Sequence, residues 1–383
     1  MDPHSLHLDT PQLLEVAATL ESRIARGLTE DGGELRALPA FLRPPRAGTH
    51  GRVLAIDAGG TNLRAAVVEL DAHGRAQLTA GPVQSTIPDG RDGRAVDRAA
   101  FYAAHVALVR QLDGAHGLPV GYCFSYPTAS EPDGDARLIR WTKGVHVDGL
   151  EGARVGEGLV EALSAAGFAP RRVVVLNDTV ASLLAAAGHT PQPARTLGLI
   201  VGTGHNLASY FDGARVTKLS PRWSGPLAVN LESGNYHPPH LTTLDDALDS
   251  ASGDAGRQRL EKAVSGYYLP QLFSHARPTR PPLADGRALL AVAGDAADPD
   301  APLAQALLDR SADLVAAALA GVARFHEGAD PITVLAEGGL FHSTPRYAAR
   351  VAERLATLHP GAPVVLARAA DANLVGAAWA ALS

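Results

Sequence analysis

Cysteine, lysine and asparagine are all scarce in this chain, and each scarcity narrows what the protein can do. The single cysteine, Cys123, excludes an intramolecular disulfide, a Cys-x-x-Cys redox pair and a cysteine-based zinc knuckle. A reducing, cytoplasmic location is the expectation. Lysine occurs only as Lys143, Lys218 and Lys262, and asparagine only as Asn62, Asn177, Asn206, Asn230, Asn235 and Asn373. Nearly all the asparagines neighbour glycines or carboxylates in segments that read as polar loops at strand ends. No apolar run reaches the roughly 18 residues of a spanning helix, and the longest, 314–323, reads as the interior of an Ala-rich helix. The first residues lack the basic and apolar regions of a signal peptide. Basic runs are absent, and 34 basic against 40 acidic residues leave a net charge of −6. Nucleic acid and anionic membranes are therefore disfavoured as partners.

What is present is a globular composition, 46% hydrophobic and 19% charged over 383 residues, long enough for two domains. Residues 10–28 read as a helix that Thr10 caps, with Pro11 at its start. A Pro/Gly-rich linker at 39–51 precedes three β-type runs, 52–57, 63–70 and 76–87, which suggest an antiparallel meander. Then follow a helix (95–112), a buried strand (119–126), a helix (151–167), a strand (171–178) and a helix (179–188). The pattern restarts with strand 196–202, a Gly-Thr-Gly turn and strand 205–211, so the α/β chain reads as two related βββαβα halves facing one cleft. Helices at 242–276, 302–327 and 346–358, strands at 332–336 and 364–367 and a closing helix at 372–382 complete it. The Pro- and Asp-rich segment 277–301 reads as a mobile surface excursion.

Common nucleotide motifs are missing. No lysine sits in the Gly-Lys-Ser/Thr of a P-loop. The Gly-x-Gly pairs at 156/158 and 202/204 have Glu161 and Leu207 where a dinucleotide fingerprint needs its third glycine. No His-Glu-x-x-His occurs among the fifteen histidines, so zinc chemistry and hydride transfer are disfavoured.

The segment Asp57-Ala-Gly-Gly-Thr-Asn-Leu-Arg64 places a glycine turn directly after an apolar strand. Backbone N–H groups of such a turn can approach phosphate oxygens, Thr61 and Asn62 add donors, and Asp57 can reach a metal ion through water. A tight hairpin is the alternative, but the second turn, Gly202-Thr203-Gly204, favours a clamp closed from both halves. Asn177-Asp178 ends a buried strand and starts a helix, where a carboxylate can accept a proton from a sugar hydroxyl or simply cap the helix. Lys143 supplies a compact ammonium suited to a transferring phosphoryl oxygen, unless it is an ordinary surface lysine. Glu232 and Glu261 can each accept hydrogen bonds from adjacent hydroxyls, though neither stands out unaided.

Taken together and in order, these segments resemble the eukaryotic-type hexokinase and glucokinase family of the actin-like ATPase (ribonuclease H-like) fold, collinearly from about Leu38 to the C-terminus. Asp57–Arg64 and Leu199-Ile-Val-Gly-Thr-Gly-His-Asn206 look like its two phosphate motifs. Phe124-Ser-Tyr-Pro127, Thr142-Lys-Gly144 and Asn177-Asp-Thr-Val-Ala181 match its sugar-site segments, and Val334-Leu-Ala-Glu-Gly-Gly339 is similar to its adenosine motif. The resemblance implies Asp178 as catalytic base with Lys143 beside it, and Ser125, Thr142, Lys143, Asn177, Asp178, Asn206, Glu232 and Glu261 as sugar contacts. It implies a nucleotide held by Asp57, Gly59, Gly60, Thr61, Asn62, Gly202, Thr203, Gly204, Gly338 and Gly339. Mg²⁺ would arrive with ATP and meet Asp57 through water, with no dedicated metal site. The implied partners are a hexose and a nucleotide, and the implied assembly a monomer or homodimer. A small domain of 49–176 plus 370–383 and a large domain of 1–48 plus 177–369 are expected. Against the family's pattern, Asp371-Ala-Asn-Leu-Val-Gly376 lacks a Gly-Ser-Gly turn, Gly339 replaces a Ser, and His205 stands where a small residue is common. The rival readings are a non-catalytic sugar sensor of the same fold and a kinase with another hexose or phosphoryl donor.

Overall fold

A computed structural model describes residues 2–60, 62–90, 95–141, 145–188 and 190–383. Helix α1 (Thr10–Thr29) buries Leu13, Val16, Ala17, Leu20 and Ile24, the face its spacing indicates. Its cap is Asp9 and not Thr10. Asp9 accepts the Gln12 N–H at 2.9 Å while the Gln12 side chain accepts the Asp9 N–H, so a carboxylate and an amide satisfy each other's ends of the first turn. Strand β1 (Leu38–Pro39) lies at the start of the stretch read as linker.

Strands β2 (Gly51–Ala58), β3 (Asn62–Leu70) and β4 (Ala76–Thr86) form the expected antiparallel meander. After helix α2 (Arg98–Val109), strand β5 (Val120–Phe124) pairs parallel to β2. A short hairpin of β6 (Thr128–Ser130) and β7 (Ala136–Leu138) and helix α3 (Val155–Ala165) lead to β8 (Val173–Leu176), parallel to β5. Helix α4 (Asp178–Ala187) ends this half. The second half opens with β9 (Thr196–Val201), β10 (His205–Asp212) and β11 (Pro226–Asn230), again antiparallel. Five helices follow: α5 (Thr243–Ala251), α6 (Arg259–Val264), α7 (Leu269–Ala276), α8 (Gly286–Gly294) and α9 (Ala301–Ala323). Strand β12 (Ile332–Glu337) pairs parallel to β9, helix α10 (Pro345–Leu358) intervenes, β13 (Val364–Ala367) pairs parallel to β12, and α11 (Ala372–Leu382) closes the chain.

The two halves have one topology. Strand order is β4-β3-β2-β5-β8 in the first sheet and β11-β10-β9-β12-β13 in the second, with β1 added outside β11. Each half's last helix packs on the other half's sheet. A Cβ added to Gly198 on β9 would lie 2.2 Å from the Thr179 carbonyl oxygen of α4, and one added to Gly121 on β5 would lie 2.0 Å from that of Ala377 on α11. The exchanged helices also cross each other, Gly376 standing 1.9 Å (as a built Cβ) from the Ala181 carbonyl oxygen. Only glycine permits backbones to approach this closely.

Outside this pair, α9 is buried along most of its length; its C-terminal part, 314–323, is apolar on every side, as a buried helix can be, and is the longest apolar run. Helix α10 buries Tyr347, Val351, Leu355 and Leu358, while Arg350 and Arg354 pair with the buried Asp313 of α9 at 2.7 and 3.1 Å.

Three further expectations differ from what is observed, and one strand was not read. Segment 242–276 is three helices, interrupted around Ser252 and Ser265. Helix α9 stops at Ala323, short of the expected 327. Segment 277–301 is not a free excursion: it carries α8 and is held where Arg277 pairs with Asp300 and Arg280 pairs with Asp298 at 2.7 Å and Asp300 at 3.1 Å. Strand β11 had no clear alternation to reveal it, because three of its five residues are Pro, Ala and Asn.

Gly376→Ala puts a methyl group into the Ala181 backbone, so the variant should lose about 3 kcal/mol of stability, at the top of the range for overpacking. Denaturant unfolding of the two proteins measures it.

Candidate functional site

The C-terminal ends of β2, β5, β8, β9 and β12 converge where α4 and α11 begin, which is where open α/β sheets place ligands. Asp57, near the end of β2, is 6% exposed. Asn373 Nδ2 on α11 donates to both its oxygens at 3.3 Å, and Arg64 Nη1 stands 4.0 Å away. Burial nevertheless wins and pushes the Asp57 carboxyl from 3.8 up to about 6, with the nearby Asp178 charge adding to the rise. Cys123, its cross-strand partner on β5, is fully buried, and the charges of Asp57 and Asp178 add to the burial that drives its thiol well above the usual range.

Asp178 is the first residue of α4, and capping is shared. Both the Asn177 and the Asp178 Oδ1 accept the Thr179 N–H, at 3.0 and 2.8 Å. The Asp178 Oδ1 also accepts from the Thr179 hydroxyl at 3.2 Å. Ser125 is buried just past β5, its N–H donating to the Ala58 carbonyl at 3.1 Å. In the first glycine turn the Gly59 N–H donates to the Asn62 carbonyl at 2.9 Å, and the Tyr126 hydroxyl donates to the Gly59 carbonyl at 2.9 Å. Gly60 follows half-buried and Asn62 is exposed. Thr61, Thr142 and Lys143 lie outside the described residues.

In the second half the Gly202 N–H donates to the Gly204 carbonyl at 2.9 Å, leaving Thr203 exposed at the tip. Gly202 and Gly338 pass in backbone contact, a Cβ on the former being 3.2 Å from the Cα of the latter. Gly339 is exposed beside them. Glu261 on α6 reaches this turn: its Oε2 accepts the His205 N–H at 2.9 Å and would be 2.7 Å from a Cβ on Gly204. Burial lowers the His205 imidazole to about 4, so it is neutral at pH 7. Asn206 Nδ2 donates to Asn230 Oδ1 and Asn230 Nδ2 donates to Glu232 Oε1, each at 2.8 Å. A chain of amides thereby aims one carboxylate.

The assigned residues thus form two groups. Asp57, Ser125, Asn177 and Asp178 belong to the first sheet's end, and Gly202, Gly204, Asn206, Glu232 and Glu261 to the second's. Between them lie groups that sequence reasoning left without a settled role, Arg64 being open between a phosphate ligand and an ion-pair partner. Arg64 forms an ion pair with Asp371, which sits at φ 52°. Glu337, at the end of β12, is pushed up by burial to about 7, opposed by Arg368 and Arg64. Asn373 and Asn230 also join the site. All six asparagines fall at these loops and strand ends or bond to one another and to site carboxylates, so scarcity was the signal that pointed to them. Nothing comparable marked Glu337 among the fourteen glutamates.

Two models of one family, hexokinase, match residues 3–188 and residues 196–276 with 301–383. The chain belongs to the hexokinase family. Hexokinase-1 of Saccharomyces cerevisiae is 32% identical over 285 residues, 70% of this chain and 58% of the yeast protein. Hexokinase-1 of Oryza sativa subsp. japonica is 34% identical over 280 residues, 68% of this chain and 55% of the rice protein. The matched stretch is little more than half the length of these two hexokinases. Among solved structures, the hexokinase from Schistosoma mansoni complexed with glucose matches with a TM-score of 0.83 at 23% identity, covering 99% of this chain and 97% of that one. A ROK family glucokinase from Streptomyces griseus in complex with glucose and AMPPNP matches with 0.55 at 20% identity, over 86% and 98%. These likenesses show the fold, that of the actin-like ATPases. No described helix is long and apolar enough to cross a membrane, and among the described residues no three His, Cys, Asp or Glu side chains are grouped to hold a metal ion.

The folded chain holds the Asp57 proton more tightly than the unfolded chain does, so the cost of this carboxylate is absent below about pH 4, grows through pH 6 and is complete above it. Asp57→Asn should therefore be more stable than the parent at pH 8, by roughly 3 kcal/mol at most, and the gap should narrow at pH 4.5. Thermal unfolding at the two pH values reads it directly.

Proposed function

We propose that this hexokinase-family chain transfers the γ-phosphoryl group of ATP to the 6-hydroxyl of a hexose, with D-glucose the preferred acceptor. The observation that carries the reading is the meeting of Asp178 and Asp57 at the ends of β2, β5 and β8, one carboxylate half-exposed at a helix start and the other buried. Asp178 accepts the proton of the sugar hydroxyl as its oxygen bonds to phosphorus, and the bond from that phosphorus to the β–γ bridging oxygen breaks, releasing ADP. Ser125, Thr142, Lys143, Asn177, Asn206, Glu232 and Glu261 hold the sugar. Carboxylates and amides of this kind discriminate epimers, because the wrong one leaves a buried polar group unpaired.

Gly59, Gly60, Thr61, Asn62, Gly202, Thr203 and Gly204 receive the nucleotide's phosphates, and Gly338 and Gly339 its adenosine side. Asp57 suits a divalent cation held at one water's remove: it is a buried carboxylate whose partners do not make up for lost solvation. Mg²⁺, when bound with ATP, would supply neutralisation of the phosphate charge. Lys143 supplies a further positive charge to the transferred group. The division into a small domain of 49–176 with 370–383 and a large one of 1–48 with 177–369 belongs to the proposal. It is supported by α11 packing on the first sheet. Closure of the two over the sugar would keep water from the donor. A cytoplasmic location and a monomeric or homodimeric state complete the reading.

Asp178→Ala should lower turnover by a factor of about 10² or more while glucose still binds. A coupled assay for sugar 6-phosphate with glucose, mannose, fructose and N-acetylglucosamine, paired with calorimetric glucose binding, tests both halves. Near-normal turnover in the variant would remove Asp178 as the base, and glucose binding without any transfer in the parent would favour a sensor.

A further inference from the structure

We infer that Tyr236 is a positioning residue for the sugar site, coupling the two carboxylates that hold the sugar to the N-terminal helix. The inference rests on the assignment of Glu232 and Glu261 above and extends it to residues with no place in the reaction.

Glu232 has a left-handed backbone, φ 53° and ψ 44°, and starts a 3₁₀ turn, Ser233–Asn235, with no side-chain cap. A side chain other than glycine occupies that region only at a cost, so neighbours must hold it. Upstream the strand fixes it, the Leu231 N–H donating to the Leu207 carbonyl at 3.0 Å. Downstream the turn ends on Tyr236, which is 1% exposed and whose N–H donates to the Ser233 carbonyl at 3.0 Å. The Tyr236 carbonyl accepts the N–H of Leu260, the residue before Glu261, at 2.8 Å. One residue thus ends the turn carrying one carboxylate and ties down the helix carrying the other.

The side chain gives this residue its anchor. The Tyr236 hydroxyl donates to the Val16 carbonyl of α1 at 2.9 Å and shares a short hydrogen bond with the Thr19 hydroxyl. Further ties run in parallel: the His237 N–H donates to Glu34, and His240 Nε2 lies 2.8 Å from Glu15 Oε2. Helix α1 is itself fixed against α9, where a Cβ on Gly321 would stand 2.7 Å from the Ala17 carbonyl oxygen. The brace therefore ends on the buried centre of the second half.

Two variants separate positioning from general stability. Tyr236→Phe removes only the hydroxyl, and with it both bonds to α1, whereas Thr19→Val removes one of the two partners from a helix that contributes nothing to the site and leaves the bond to the Val16 carbonyl. Tyr236→Phe should raise the sugar KM at least about fivefold, the worth of one buried hydrogen bond, and Thr19→Val should raise it by a smaller factor of about two to three, with kcat and the ATP KM of both within twofold of the parent. The double variant should add little to Tyr236→Phe, since the Phe variant has already lost the contact with Thr19. If Tyr236→Phe fails to fold, Thr19→Val carries the test. Unchanged sugar KM in both variants, or a fall in kcat and a rise in the ATP KM of the same size, would overturn the inference while leaving the kinase reading intact. Failure of the parent to phosphorylate any sugar would overturn both.

Discussion

The crossing of α4 over α11 is the contact on which the rest of the molecule depends. Each helix follows the last strand of one sheet and lies on the face of the other, so the two halves are tied by exchange and not by a flat interface. Glycines at 121, 198 and 376 let these backbones come together. Because both helices start at the strand ends, their first residues, Asp178 on one and Asn373 near the start of the other, are delivered to the same floor beside Asp57. The geometry of the cleft is thus set by packing far behind it. A small rotation about the crossing would move the two groups of site residues relative to each other.

The electrostatics of that floor oppose its own stability. Asp57, Asp178, Glu337 and Asp371 gather around Arg64 and Arg368, and two of the carboxyls are held well above their ordinary values by burial. Such a cluster is poised for a cation and for shared charge, which is how sites differ from cores. Its counterpart in the second half is built from directed hydrogen bonds: an amide relay onto Glu232 and a backbone N–H onto Glu261. Charge on one side and directed hydrogen bonds on the other suit a reaction that joins a polyanion to a polyol.

Much of this was legible in the sequence because it rests on local rules. The meander of β2 to β4 follows from alternation and turn residues, and the repeated strand-glycine-strand unit foretold two halves with one strand order. Asn177-Asp178 announced a strand end and a helix start together. Tertiary contacts accounted for what was missed. Segment 277–301 looks unstructured until Arg277 and Arg280 meet Asp298 and Asp300. Strand β11 has a weak pattern and exists because β10 and β1 pair with it. Glu337 becomes distinctive only when Arg64, Asp371 and Asp57 are folded around it, and Tyr236 only when α1 is brought back across the chain.

Cys123 gives the molecule a built-in reporter. It is the sole thiol of the chain, it has no exposure, and burial with the neighbouring carboxylates disfavours its reactive thiolate form. An alkylating reagent therefore meets nothing to label until the sheet ends beneath the cleft come apart. The rate at which one equivalent is incorporated follows the opening of that floor, with no engineered probe and no second site to confuse the count.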